Sequence, residues 1–175
     1  NKYRSIITAD ARMKSIFESM TYLAKTDSSI ILYGESGVGK DVLANYIHSN
    51  SARSKEIFLP VNCSAIPSEL MEAEFFGYEK GAFTGADRNG KLGILEMGDV
   101  GTLFLDEIGY MPPLMQAKLL RFLDSGEIKK LGGTGIIYSN VRIIAATNRD
   151  LAKMVKEGTF REDLYYRLNI IPVYI

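Results

Sequence analysis

The chain holds one cysteine, Cys63, among its 175 residues. A lone thiol has no partner within the chain, so no internal disulfide supports the fold, and the usage fits a reducing cytosol. Cys63 itself reads as a small buried hydrophobe. Excess charge is lacking as well: Lys plus Arg and Asp plus Glu number 21 each. No bulk field therefore draws the chain to nucleic acid or to a membrane surface. No apolar run approaches a membrane span, and the N-terminus lacks the charged-then-apolar layout of a signal peptide. Internal repeats and low-complexity tracts are missing too. What these absences leave is one cytoplasmic globular domain. Its 46% apolar and 24% charged residues suffice for a sizeable core. The run NIIPVYI carries no polar tail after Ile175, the expectation for a fragment of a longer protein.

Hydrophobic spacing supplies the elements. Met13, Ile16, Phe17, Met20, Leu23 and Ala24 recur at helical steps and predict a helix over roughly 10–26. SSIILYG reads as a buried strand and KDVLANYIHSN as a helix, with His48 on its surface along with the charged residues of the first helix. IFLPVNC is a strand in which Pro60 argues for an edge or a bulge. PSELMEAEFFG is a helix with Pro67 in its first turn and Gly77 past its end. GTLFLDE and VRIIAATN are further buried strands, and PPLMQAKLLRFLDSG is a proline-opened helix. EIKKLGGTGIIYSN is a hairpin or loop, RDLAKMVKEG and REDLYYRLN are short helices, and IIPVYI is a last strand. Strands alternating with helices imply crossovers and a parallel sheet covered on both faces, the α/β class.

GESGVGKD, comprising Gly34, Glu35, Ser36, Gly37, Val38, Gly39, Lys40 and Asp41, fits G-x-x-x-x-G-K between a strand and a helix. Glycines let backbone N–H groups curl round an anion, and the helix N-terminus adds its positive end. Lys40 is placed to reach the terminal phosphates of a nucleotide. Asp41 stands where many such loops carry a Ser or Thr magnesium ligand, and is a second candidate ligand here. GTLFLDE brings Asp106 and Glu107 to a strand's carboxyl end, where open α/β sheets bind ligands. Asp106 suits magnesium, and Glu107 suits the polarisation of an attacking water. Between these motifs, residues 77–86 read GYEKGAFTGA. Three glycines in ten residues disfavour helix and strand, so Phe83 either faces outward on a loop or tucks that loop onto its own domain.

GESGVGK, GAFTGA, GTLFLDEIG, ATNRDL and FREDLYYRLN together resemble the central AAA+ domain of bacterial enhancer-binding proteins, the activators of sigma-54 RNA polymerase. The likeness covers nearly the whole chain, and GAFTGA is its most specific piece. It implies an AAA+ P-loop NTPase fold with a parallel sheet of about five strands flanked by helices, followed in the family by a helical lid beyond this chain. It also implies ATP and Mg2+ as cofactors, ATP hydrolysis, and a homo-oligomeric, hexameric ring. Gly81, Ala82, Phe83, Thr84, Gly85 and Ala86 match the loop that contacts sigma-54 in the RNA polymerase holoenzyme, with Phe83 and Thr84 as the contact residues. KKLGGTG matches the neighbouring pore loop.

Asn62 matches the asparagine that restrains Glu107, and its plain alternative is a turn residue at a strand end. Thr147 and Asn148 match the sensor of the γ-phosphate. Arg161 and Arg167 match candidate arginine fingers. On an uninterrupted helix these two would point about 240° apart, so they would divide the work, and either could instead pair with Glu162 or Asp163. Enhancer DNA would be read only by a domain outside this chain, and without a lid the fragment would turn over weakly. The alternatives are another AAA+ protein remodeller, or a nucleotide-gated binding module with little turnover.

Overall fold

Each central strand of this chain carries an unbroken run of at least three apolar residues, and successive side chains point to opposite faces, so both faces must be covered. The computed structural model describes residues 11–82 and 89–175, with side chains from Ile16 onward. In chain order it contains α1 (Ala11–Ala24), β1 (Ile30–Tyr33), α2 (Lys40–Ser49), β2 (Phe58–Asn62), α3 (Ser68–Phe76) and α4 (Ile94–Met97). There follow β3 (Thr102–Asp106), α5 (Pro113–Ser125), β4 (Glu127–Ile128), β5 (Ile137–Tyr138), β6 (Arg142–Thr147), α6 (Leu151–Lys156), α7 (Glu162–Leu168) and β7 (Ile171–Tyr174). The main sheet has the order β2-β3-β6-β1-β7, and every pairing in it is parallel. β4 and β5 form a separate antiparallel hairpin.

Alternation divides the core in two. Ile30, Leu32, Phe104, Ile144 and Ala146 pack with Phe17 and Met20 of α1 and Leu43 and Ile47 of α2. Ile31, Leu103, Leu105, Ile143 and Ala145 face the other way, onto Phe75 of α3, Leu119 and Phe122 of α5, and Leu164 and Leu168 of α7. Each such leucine or isoleucine, fully removed from water, contributes about 1.5–3 kcal/mol relative to its exposed state. The expected α/β class is the one observed.

Pro60 lies on β2, which is an edge strand, where the missing N–H costs no ladder bond. Pro67 caps α3 rather than entering its first turn, and Gly77 ends that helix at φ 72°. Two features depart from expectation. His48 is buried rather than on the surface, its Nδ1 2.9 Å from Thr102 Oγ1. The buried stripe of α2 is broad enough to include it, and β3 presents a hydroxyl where the ring needs a polar partner. Arg142, inside an apolar strand, is also buried; its guanidinium donates to Leu23 O at 3.0 Å and Ala24 O at 3.1 Å. It thereby gives the Ala24 carbonyl at the end of α1 a donor and joins Thr26 in bonding that of Leu23.

Candidate nucleotide site and loop neck

The P-loop leaves β1 after Tyr33 and enters α2 at Lys40. Gly37 and Gly39 sit at φ 84° and 91°, the left-handed region that the tight curl requires and side chains resist. Lys40 is buried, and its Nζ donates to Gly34 O at 3.0 Å and Glu35 O at 2.8 Å. Glu35, Ser36, Gly37 and Val38 are exposed above it, and Asp41 lies exposed in the first turn of α2. The Gly34 amide donates to Thr147 O at 3.2 Å, which ties the loop's root to β6.

Parallel register brings the other motif residues to the same edge. Asn62 stands opposite Asp106, and Tyr33 opposite Thr147, at the carboxyl ends of their strands. Asp106 Oδ1 accepts the Glu107 amide at 2.9 Å. Glu107 holds φ 54° and ψ 45°, a left-handed conformation that costs a non-glycine residue about 1–2 kcal/mol. Its Oε2 is buried without a hydrogen-bond partner. Burial, and then the charges of Asp106 and Glu107, push the neighbouring Cys63 thiol up to about 12. Asn62 Oδ1 accepts from Ser64 N at 2.9 Å and Ser64 Oγ at 2.7 Å, capping the turn Cys63–Ala65. That is the turn role named as its plain alternative. Among the described residues no cluster of three or more His, Cys, Asp or Glu could cage a metal. Asp106 is therefore suited to an ion that keeps waters and phosphate oxygens in its shell, as Mg2+ does.

Thr147 is buried and Asn148 exposed. Thr147 Oγ1 accepts the Arg149 amide at 3.0 Å. The Arg149 side chain crosses back to the turn after Glu107: its guanidinium lies 3.6 Å from the centre of the Tyr110 ring, and Nη1 donates to Gly109 O at 3.3 Å. Sequence reasoning gave neither Arg149 nor Tyr110 a role, because nothing in their spacing marks a contact across two strand ends. Beside this edge lies a cavity of about 450 Å³ lined by Tyr33, Gly34, Thr147, Asp150, Tyr165 and Tyr174. The Tyr33 and Tyr174 rings stack with centroids 5.0 Å apart, and burial raises the Tyr33 phenol well above its ordinary range.

Arg161 and Arg167 do not share one helix in the way their spacing suggested. Arg161 is the extended residue that precedes α7, so the 240° relation does not apply. It pairs with Asp163 at 2.8 Å, and each partner stabilises the charged form of the other. Arg167, within α7, donates to Leu123 O at 2.6 Å and lies 3.4 Å from Asp124 at the end of α5. Both remain half exposed.

The glycine-rich segment springs from a closed neck. Tyr78 exchanges hydrogen bonds with Lys91 at 3.1 and 2.9 Å. Glu79 N donates to Leu131 O at 2.9 Å, and Leu131 N to Gly77 O at 3.0 Å. A Cβ on Gly77 would sit 2.4 Å from Lys91 O, and one on Gly93 would sit 2.4 Å from Phe76 C. The KKLGGTG segment reaches the first loop directly: a Cβ on Gly132 would lie 2.8 Å from that of Ala82. Lys91 pairs with Glu74 at 2.5 Å, and Lys130 with Glu96 at 3.0 Å. Gly81 and Ala82 belong to this neck, while Phe83, Thr84, Gly85 and Ala86 lie outside the described residues.

The family model described as the sigma-54 interaction domain matches residues 6–174. The chain belongs to that family. It is 52% identical over 166 residues to the regulatory protein AtoC of Escherichia coli (strain K12), covering 95% of this chain and 36% of AtoC. It is 51% identical to the Nif-specific regulatory protein of Azotobacter vinelandii, covering 93% of this chain and 31% of that protein. Among solved structures, NtrX from Brucella abortus superposes with a TM-score of 0.90 at 37% identity, covering 99% of this chain and 38% of that one. NtrX has also been solved in complex with ADP and with ATP, at TM-scores of 0.88. The chain spans 27–58% of the length of the curated relatives it matches. As a sigma-54 interaction domain it has the expected AAA+ P-loop architecture, with the five-stranded parallel sheet. Among the described residues no helix is long and apolar enough to cross a membrane.

Proposed function

We propose that this domain hydrolyses ATP to remodel the closed promoter complex of sigma-54 RNA polymerase, acting in the cytoplasm within a homo-oligomeric, hexameric ring. The observation that carries the reading is the buried, unpartnered Glu107 Oε2 at the sheet edge that also holds Asp106, Thr147 and the root of the P-loop. An orphaned carboxylate oxygen is costly unless something uses it, and an attacking water is what such a group can orient.

Gly34–Gly39 and the N-terminus of α2 would cradle the phosphates. Lys40 would exchange the carbonyls of Gly34 and Glu35 for β- and γ-phosphate oxygens. Mg2+ supplies charge neutralisation across those phosphates, and Asp106 would hold it, with Asp41 able to act only through water from its exposed position. Thr147 and Asn148 would sense the terminal phosphate, and Asn62 would release or restrain Glu107. Arg161 and Arg167 would serve a neighbouring subunit's site from their half-exposed surface. The neck would carry Phe83 and Thr84 to sigma-54. Enhancer DNA would be bound by another part of the protein.

Trapping with purified sigma-54 tests the partner. The full-length protein with ADP and a metal fluoride should form a complex that ADP alone does not support and that Thr84→Ala abolishes. A ring that hydrolyses ATP yet captures no sigma-54 under these conditions sinks the partner assignment and leaves a remodeller of another target. Glu107→Gln separately tests catalysis: turnover should collapse while nucleotide binding persists, and unchanged turnover would point to a binding module.

A further inference from the structure

We infer that Arg149 is a positioning residue for Glu107, clamping the turn that carries this carboxylate to the end of β6. The inference rests on the hydrolytic reading above and extends it to Arg149 and Tyr110, to which that reading gave no role. Glu107 occupies an unfavourable left-handed conformation, so something beyond its own preference must hold it. Its carbonyl is bonded by the Tyr110 amide at 3.0 Å, making Glu107 to Tyr110 one tight turn. Arg149 grips that turn at two points. Its guanidinium covers the Tyr110 ring at 3.6 Å, and Nη1 donates to Gly109 O at 3.3 Å.

The other end of the clamp is fixed by Thr147. The Arg149 amide donates to Thr147 Oγ1, and Gly109 leaves so little space that an added Cβ would lie 3.0 Å from Arg149 Cδ and 3.3 Å from Thr147 Oγ1. Sensor strand and catalytic turn thus meet through one side chain and one glycine. The Thr147 hydroxyl cannot shift without moving the Arg149 backbone, and the Arg149 side chain cannot move without releasing the turn. Arg149 touches neither phosphate nor water in this scheme; it acts through Glu107.

Steady-state ATPase measurements on the full-length protein test the clamp. Arg149→Ala should lower kcat by about ten- to a hundredfold, the scale of a misplaced catalytic group. KM for ATP and the affinity for ADP should stay within about twofold of wild type, because the phosphate cradle is untouched. Tyr110→Ala should reproduce the loss, the double variant should be no worse than either single one, and Tyr110→Phe should recover turnover by restoring the ring face. Should Arg149→Ala lower the melting temperature, Arg149→Lys carries the same test, since it keeps a cation but loses the planar guanidinium contact with Gly109. An unchanged kcat, a KM that rises as far as kcat falls, or losses that multiply in the double variant would each overturn the clamp while leaving hydrolysis standing. A wild-type protein with no turnover would remove the hydrolytic reading and the clamp together.

Discussion

His48 is the only histidine in the sequence and the one side chain whose ordinary pKa lies near neutrality. Burial lowers its pKa from 6.5, opposed in part by a backbone hydrogen bond at Glu56 and reinforced by the Arg142 charge. The folded state therefore binds the proton less readily than the unfolded chain. Its contribution to stability is complete above about pH 6.5 and is lost as pH falls below that value. Urea unfolding at pH 7.5 and 5.5 should show this domain weakening at the lower pH, and His48→Asn should flatten the difference. An equal slope in both proteins would remove His48 as the cause. The surface reading of His48 failed for a physical reason: helical spacing marks the centre of a buried stripe but not its width. Cys63, by contrast, was legible from composition, because a lone thiol with no partner in the chain has little to do but fill space. The placement of Lys40 at the start of α2 and of Asp106 and Glu107 at the end of β3 was legible, because the flanking strand and helix patterns fix where those residues fall. Arg149 and Tyr110 were not, since each is ordinary in its own segment and acquires a partner only when β3 and β6 are set side by side.

At the scale of elements, strands and long helices were readable because burial on a sheet imposes a period of two and burial on a helix a period near four. α4 escaped notice, as four residues between Gly93 and Gly98 are too few to show a period. Arg142 hid inside a strand pattern while tying α1 to the sheet. Replacing it with Met should strip the Ala24 carbonyl of its donor and leave Leu23 O to Thr26 alone, at a cost of about 2–4 kcal/mol, on the scale of two charge-assisted hydrogen bonds. Chemical unfolding would measure this, and a loss below about 0.5 kcal/mol would mean that water replaces the guanidinium. The crossing of α3's exit with the approach to α4 should be as intolerant. Gly93→Ala forces a methyl onto the Phe76 backbone and should cost about 1–3 kcal/mol by overpacking, seen as a lowered urea midpoint with an unchanged m-value.

At the scale of the whole molecule, the sheet has two unlike ends. The amino ends of the strands are fastened by Arg142 and by Arg53, which pairs with Asp27 and donates to the carbonyls of Gly101 and Asn140. The carboxyl ends hold every candidate group of the phosphate chemistry except the two arginines, whose partners lie on α5 and α7. Such a division predicts complementation in a ring. Full-length Glu107→Gln and Arg161→Ala proteins, each inactive alone, should regain measurable ATPase activity when mixed, because one subunit offers the finger and the next an intact site. Activity that stays at the level of the separate variants would place Arg161 outside the neighbouring site. The neck at Tyr78 has a last consequence. Among the described residues, the hydrogen bonds that close it run among Gly77, Tyr78, Glu79, Lys91 and Leu131. It pins together three stretches of chain that lie far apart in sequence. A pull on any one of these stretches is passed to the other two, so the neck moves as one piece rather than as three separate lengths of chain.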